Sequence, residues 1–277
     1  MTLLVLSGLL LGLCLAAVVG VPAAGRAEGT LLAAHRGGAR LWPENSLLAF
    51  KNVLALGVDL IEFDVHLTQD GRVVVLHDPT LERTTTGIGE VRAAKLAELR
   101  QVRLKDRDGT ETEEPVPTLE ELLDLVASTP VRILLEIKTG PRRERYEGIE
   151  EKVLGLLRVR GLADRTVIMS FHTAIIRRVH DLDPTIRTSL LISERTLERE
   201  GVGLETALGW ATSAGATDIG VQYTMVTRES LAAARARGLR VGAWTVNDER
   251  GMRRMIELGV DTLITDRPDV AKTLLGR

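Results

Sequence analysis

The sequence predicts an α/β protein folded as a (β/α)8 TIM barrel, with a short excursion after the second strand and an apolar N-terminal segment ahead of the barrel. Three observations predict it. Short apolar runs alternate with amphipathic stretches along most of the chain, the order that a parallel sheet with crossover helices requires. The runs number eight, near residues 31, 60, 133, 167, 188, 219, 242 and 262, which favours a closed barrel over an open doubly wound sheet. His35, Glu62 with Asp64, Glu136 with Lys138, Phe171, Trp244 with Asn247, and Asp266 all fall at or near the C-terminal ends of these runs. Barrels of this class carry their sites on that face.

Length and charge bound the alternatives. The 277 residues, 44% hydrophobic and 27% charged, describe an ordinary globular chain with material for one large core. Such barrels commonly need roughly 250 residues, so residues 28–277 form a single barrel domain behind a separate segment, 1–27. The formal charge of −2 supplies no basic field for nucleic acid, which is excluded as a partner.

Leu3 to Val21 is an almost unbroken apolar run with no charge before Arg26, the pattern of an export or membrane signal. Small residues around Val21-Pro22-Ala23 and Gly25-Arg26-Ala27 resemble cleavage sites, which predicts an exported, periplasmic or extracellular protein. Left uncut, the run is long enough to span a bilayer, and residues 1–24 would anchor the protein to a membrane. A buried N-terminal helix is the third reading. Cys14 is the only cysteine and lies inside this segment behind the bulky Leu13, which disfavours lipidation. A cleaved chain would have no disulfide, no thiolate nucleophile and no Cys-ligated zinc.

The barrel begins with an apolar run over 29–34 that delivers His35-Arg36 into a glycine loop, where Gly37 and Gly38 permit close backbone approach to a ligand. A helix is expected to start within Trp42-Pro43-Glu44-Asn45-Ser46, with Leu47, Leu48, Phe50, Val53 and Leu54 as its apolar face and Gly57 as its end. The strand near residue 60 follows. Side chains alternate along a strand, so Glu62 and Asp64 share one face while Ile61, Phe63 and Val65 share the other. Two carboxylates side by side repel, and burying them unpaired costs several kcal/mol, on the order of the penalty for an uncompensated buried charge. A divalent cation relieves both problems, and hard oxygen ligands favour Ca²⁺, Mg²⁺ or Mn²⁺. Pairing with Lys or Arg at a strand end would serve as well.

Val73-Val74-Val75-Leu76-His77-Asp78 reads as a further apolar run interrupted by a histidine and an acid, with Asp78 and Arg83 placed to fix the loop that carries His77. From Arg83 to Pro117 the alternation fails: 84–89 is turn-rich and 105–114 highly charged, an excursion over the barrel mouth that either shapes the substrate site or is a surface loop. Regular alternation resumes with a strand over 131–138, bearing Glu136 and Lys138 on one face. Helices are expected over 147–158, 174–182, 204–214, 228–237 and 250–258, strands over 166–171, 186–192, 218–221, 240–246 and 261–265, and a closing helix from Pro268. His172 reads as a structural hydrogen-bonder, His180 as solvated, and Trp42 and Trp210 as packing residues.

Nine motifs in order carry a resemblance: His35-Arg36-Gly37, Pro43-Glu44-Asn45, Glu62-Phe63-Asp64-Val65, Thr68-Gln69-Asp70-Gly71, His77-Asp78, Arg83-Thr84-Thr85, Glu136-Ile137-Lys138, Trp244-Thr245-Val246-Asn247 and Thr265-Asp266-Arg267-Pro268. Their order and spacing over roughly residues 31–272 resemble the glycerophosphodiester phosphodiesterase family. The resemblance implies metal-dependent hydrolysis of a glycerophosphodiester to sn-glycerol 3-phosphate and an alcohol. It implies that Glu62, Asp64 and Glu136 hold one divalent cation, Ca²⁺ or Mg²⁺ or alternatively Mn²⁺, and that His35 and His77 act as general acid and base. Arg36 and Lys138 would contact the phosphate, Trp244 would wall the glycerol or the mouth, and Glu44 and Asp78 would support these groups from behind. Ser46 stands where the family usually has threonine, which preserves a capping hydroxyl. The rival readings are a membrane-acting lysophospholipase D type phosphodiesterase with the same site, and a non-catalytic phosphodiester-binding protein. The second would have lost a histidine or a claw carboxylate, and all are present.

Overall fold

A computed structural model describes residues 29–277; the signal or anchor expected over 1–27 and Cys14 lie outside the described residues. The elements run in chain order β1 (Leu31–Ala34), α1 (Leu47–Leu56), β2 (Leu60–Leu67), β3 (Val73–Val75), α2 (Leu96–Leu99), β4 (Arg103–Lys105), β5 (Glu111–Pro115), α3 (Leu119–Val126), β6 (Arg132–Ile137) and α4 (Ile149–Val159). They continue with β7 (Thr166–Ser170), α5 (Thr173–Leu182), β8 (Arg187–Ile192), α6 (Glu194–Glu200), α7 (Leu204–Ser213), β9 (Asp218–Gln222), α8 (Arg228–Arg235), β10 (Arg240–Trp244), α9 (Glu249–Leu258), β11 (Thr262–Thr265) and α10 (Pro268–Leu274). Parallel pairings run from β2 through β6, β7, β8, β9, β10 and β11 to β1, and β1 also pairs with β2. The sheet therefore closes, and the eight barrel strands are those expected.

Strand alternation sorts the side chains into two cores. Ala33, Leu60, Leu134, Val167, Met169, Leu191 and Ile264 fill the barrel interior. Ile61, Phe63 and Val65 face the other way and pack with Phe50 and Val53 of α1, and Phe63 meets Phe50 edge-on at 5.8 Å between ring centroids. The interior narrows around large groups, and at Gly220 a larger residue would force Leu191 to move. A Cβ there would lie 2.4 Å from Leu191 Cδ2 and 3.4 Å from the Trp244 ring.

Several expectations change. The first helix begins at Leu47, with Ser46 as N-cap accepting from the Ala49 N–H, because Pro43-Glu44-Asn45 forms a turn in which Asn45 adopts φ 60°. Its buried face is Ala49, Phe50 and Val53, while Leu48 is exposed. In the glycine loop Gly37 packs closely on α1, where a Cβ would stand 2.8 Å from that of Ala49. The excursion is neither structureless nor loose. β3 turns back antiparallel on β2, β4 and β5 form a hairpin, and Val74, Leu76, Leu81, Val91, Leu99, Leu104 and Val116 make a small core of their own. α6, a helix of charged composition capped by Ser193, had no apolar periodicity to reveal it. His180 packs against Gly215, whose φ is 79°, and is half-buried.

Truncating Phe63 to Ala empties the layer between β2 and α1. It is expected to cost about 3–5 kcal/mol in urea unfolding, whereas Ile88→Ser, at a side chain 87% exposed, should change stability by less than about 0.5 kcal/mol.

Candidate active site

Register brings the three acids together. Asp64 stands opposite Glu136 in the β2–β6 pairing, and Glu62 lies two residues back on the same face of β2. One carboxylate oxygen from each of Glu62, Asp64 and Glu136 lies within 4.8 Å of the others, and all three residues are buried. Their surroundings are cationic and donor-rich. The Arg36 backbone N–H donates to Glu62 Oε2 at 2.9 Å, and Asn45 Nδ2 donates to Asp64 Oδ2 at 3.0 Å. Lys138 Nζ lies 2.9 Å from Glu136 Oε1 and 3.3 Å from Asp64 Oδ1, and Arg36 Nε lies 3.4 Å from Asp64 Oδ2. Of the two acids on β2, Asp64 is paired with Lys138 and Arg36, Glu62 accepts a backbone N–H, and with Glu136 they form a cluster that could hold a metal ion.

The charges are divided unequally. Burial, with Asp64 and Glu136 nearby, pushes the Glu62 carboxyl well above its usual range. Burial likewise pushes Glu136 up to about 7, against the pull of Lys138. For Asp64 burial acts upward too, but Lys138, His77 and Arg36 together hold it well below the usual range. Asp64 Oδ1 and Arg36 Nε are buried and make no hydrogen bond. An acceptor left open inside a cluster of three acids fits a hard divalent cation, and the raised Glu62 and Glu136 carboxyls are those a cation would ionise.

Both histidines point into the same chamber and each is held by an aspartate. His35 Nδ1 bonds Asp266 Oδ1 at 2.6 Å, and Asn247 Nδ2 donates to Asp266 Oδ2 at 2.6 Å. His35 Nε2 then faces Glu62, 3.9 Å from Oε2. His77 Nδ1 bonds Asp78 Oδ1 at 2.6 Å. With Nδ1 carrying the proton to an aspartate, Nε2 of each ring is free toward the chamber. Burial lowers the His77 imidazole, against the Asp64 charge. Behind these groups, Arg83 bridges Asp78 at 2.6 Å and 2.9 Å and Glu44 at 2.8 Å and 3.0 Å, and Glu44 accepts from Arg36 at 3.1 Å. Asp78 is held below its usual range: burial works against this, and the His77 and Arg83 hydrogen bonds overcome it.

His35, Arg36, Glu62, His77, Glu136, Lys138 and Trp244 all line one chamber of about 110 Å³, with Phe171 meeting Trp244 edge-on as part of its wall. Asp64 lies outside its lining, Glu44 is bonded to Arg36 and Arg83, and Asp78 to His77. Residues without an assigned role complete it. Asn45 is fixed by the Pro-Glu-Asn turn, and the Asp266–Asn247 pair sits on strand ends already assigned to the mouth. His66, buried further along β2 on the face of Glu62 and Asp64, bonds Tyr146 Oη through Nδ1 at 2.8 Å and the His77 carbonyl through Nε2 at 3.0 Å, which pins the backbone of His77. His172 accepts the Ala174 N–H at 3.2 Å and caps α5, the structural role expected of it.

A family model described as glycerophosphoryl diester phosphodiesterase family matches residues 35–270. The chain belongs to that family. Within it, a glycerophosphodiester phosphodiesterase of Caldanaerobacter subterraneus subsp. tengcongensis is 34% identical over 249 residues, covering 90% of this chain and 98% of the relative. One of Bacillus altitudinis is 35% identical over 246 residues, covering 87% and 96%. A crystal structure from Agrobacterium tumefaciens, assigned as a glycerophosphoryl diester phosphodiesterase, matches at 30% identity with a TM-score of 0.82, covering 89% of this chain and 97% of that one. A phosphodiesterase of Oleispira antarctica, solved in complex with the product sn-glycerol-3-phosphate, matches at 25% identity with a TM-score of 0.74, covering 89% and 97%. The protein is an enzyme of this family, and glycerophosphodiesters are its substrate class.

The raised Glu136 carboxyl has a measurable consequence in metal-free protein. Between its ordinary 4.5 and about 7 the native state binds a proton that the unfolded state has released, so its contribution to stability falls as pH rises through that window. Glu136→Gln removes this dependence. The stability of the metal-free variant relative to the parent should therefore rise from pH 4.5 to pH 7, by on the order of 1–3 kcal/mol in chemical denaturation.

Proposed function

We propose that the chain hydrolyses glycerophosphodiesters to sn-glycerol 3-phosphate and an alcohol, with His35 and His77 as general acid and base beside a divalent cation held by Glu62, Asp64 and Glu136. The observation that carries this reading is the convergence of two aspartate-held imidazoles and three buried carboxylates on one small chamber. Bound there, the cation would supply Lewis-acid stabilisation of charge on the phosphoryl oxygens. The Oleispira complex with glycerol phosphate supports the product.

The side chains do the rest. A phosphodiester carries one negative charge that repels a nucleophile, and Arg36 and Lys138, both largely buried, face it with fixed positive charge. One imidazole Nε2 takes the proton of the attacking oxygen as the phosphorus–oxygen bond forms, whether that oxygen belongs to water or to the neighbouring glycerol hydroxyl, in which case water then opens the cyclic phosphate. The other donates a proton to the departing alcohol oxygen as the second bond breaks. Asp266 and Asp78 hold the rings in the tautomer this requires, and the Arg83 bridge to Glu44 ties the His77 loop to the loop of Arg36. Trp244 provides the apolar wall against the carbon skeleton of glycerol.

The test is an assay of EDTA-stripped protein on glycerophosphodiesters with choline and glycerol arms and on lysophosphatidylcholine, with Ca²⁺, Mg²⁺ or Mn²⁺ added back. Metal should restore release of sn-glycerol 3-phosphate, and His35→Ala and His77→Ala should each lower kcat by about 10²–10⁴-fold. Turnover confined to the lysolipid would move the assignment to the membrane-acting phosphodiesterase, and full activity after metal removal would sink it. We also propose export, or anchoring if uncut, through residues 1–27, on the strength of their apolar run. The intact mass of protein recovered outside the cytoplasm decides between a cleaved and a retained segment.

A further inference from the structure

A second cavity, of about 460 Å³, opens beside the catalytic chamber and shares two of its walls, Phe171 and Leu191. The chamber, at about 110 Å³, is a quarter of that size. A phosphodiester has two arms, and a chamber this small, lined by two carboxylates, two imidazoles and Trp244, takes the phosphoryl group and one of them. The other arm extends beyond the chamber. Phe171 and Leu191 are the walls with open space behind them.

The larger cavity is of mixed character. Its inner surface is apolar, between β8 and α7, with Leu190, Ala207 and Trp210. Its lining also carries three arginines, Arg143, Arg177 and Arg199, against one carboxylate, Glu200, which is already bonded to Arg199 at 2.8 Å. Arg177 donates to the Ser213 carbonyl. Arg143 makes no hydrogen bond or ion pair through its side chain among the described residues, and its backbone is in the left-handed region, φ 66°. It is held there by a tight turn in which the Arg143 N–H donates to the Gly140 carbonyl at 2.8 Å and the Gly140 N–H to the Glu144 carbonyl at 2.9 Å. A bulky residue kept in a conformation L-residues avoid, with a guanidinium left free at the edge of a cavity, is a feature that packing alone does not call for.

We propose that this cavity seats the alcohol arm of the substrate and that its arginines select arms bearing a second negative charge, a phosphate or carboxylate, over amino-alcohol arms. The inference rests on the phosphodiesterase reading above and adds the substrate preference of the same site. Guanidinium groups bind phosphate and carboxylate through paired charge-assisted hydrogen bonds, and Arg143 has its donors unused. Phe171 and Trp210 offer aromatic faces on which an ammonium could rest. Three arginines against a single, already paired acid set the field against it.

The test compares kcat/KM of the full-length, metal-supplied protein on three diesters of sn-glycerol 3-phosphate: the methyl ester, the choline ester, and the ester of glycerol carrying a terminal phosphate. The wild-type protein is expected to favour the phosphate-bearing arm over choline by at least about tenfold. Arg143→Gln, at an exposed turn, should reduce that ratio by about tenfold. Thr173→Trp, which projects bulk into the cavity from the first residue of α5, should lower kcat/KM for both large arms relative to the methyl ester. Hydrolysis of the methyl ester together with ratios unmoved by either variant, or a wild-type preference for choline, would overturn the subsite while leaving the phosphodiesterase reading intact. Absence of turnover on the methyl ester would remove that reading and this inference with it.

Discussion

Three carboxylates inside one barrel are the constraint from which the rest of the mouth follows. Glu62, Asp64 and Glu136 are brought together by the β2–β6 register, and nothing in the backbone permits them to separate. Leaving one unpaired costs several kcal/mol, on the order of the penalty for an isolated buried charge. The loops after β1 and β6 are shaped accordingly. Arg36, at φ 51°, turns its backbone N–H onto Glu62, and Asn45, at φ 60°, reaches Asp64, so two residues in the left-handed region serve the same cluster. Lys138 leaves the end of β6 and folds back between Glu136 and Asp64. These groups lower the electrostatic cost without completing the ligand field, since Asp64 Oδ1 keeps an unused lone pair.

His77 belongs to a different device. It lies on the excursion after β2, a part of the chain that a plain barrel lacks. β3 runs antiparallel to β2, and the Leu76 N–H donates to the Asp64 carbonyl at 3.1 Å, so the strand that carries the metal-sized cluster also aims the second imidazole. The small core around Leu76, Leu81 and Leu104, and the His66 bond to the His77 carbonyl, make this segment a rigid arm. The Arg83 bridge then couples its position to that of Arg36 through Glu44. Pre-organisation of this kind would place the proposed acid and base before substrate arrives, which is where electrostatic catalysis takes most of its effect.

Much of this was legible from residue order alone. The eight barrel strands, the opposite facing of Glu62 and Asp64 from Ile61, Phe63 and Val65, and the clustering of polar residues at the C-terminal strand ends all follow from periodicity, which is local. α6 was not legible, because its residues Glu194–Glu200 have no buried face and so no apolar period. The inner order of the excursion was hidden for a related reason: β4 and β5 are short and charged, and their stability comes from a core shared with β3 and α2. The packing of Gly37 on α1 was not legible either, because the close approach that a glycine permits could serve a ligand or a helix, and the contact with Ala49 appears only once α1 is placed.

The sequence by itself determined the fold class, the residue types at the mouth and the family they resemble, since each depends on patterns within a strand or on motif order. The tertiary structure decided which of those residues touch. The bond from Asp266 to His35 joins residues 231 apart and exists only because β11 closes the barrel against β1. The 4.8 Å spacing of the three carboxylates depends on the register between two strands separated by the whole excursion. A one-residue slip there would turn Glu136 out of the barrel. Contacts of that range are set by packing and closure, which no local pattern encodes.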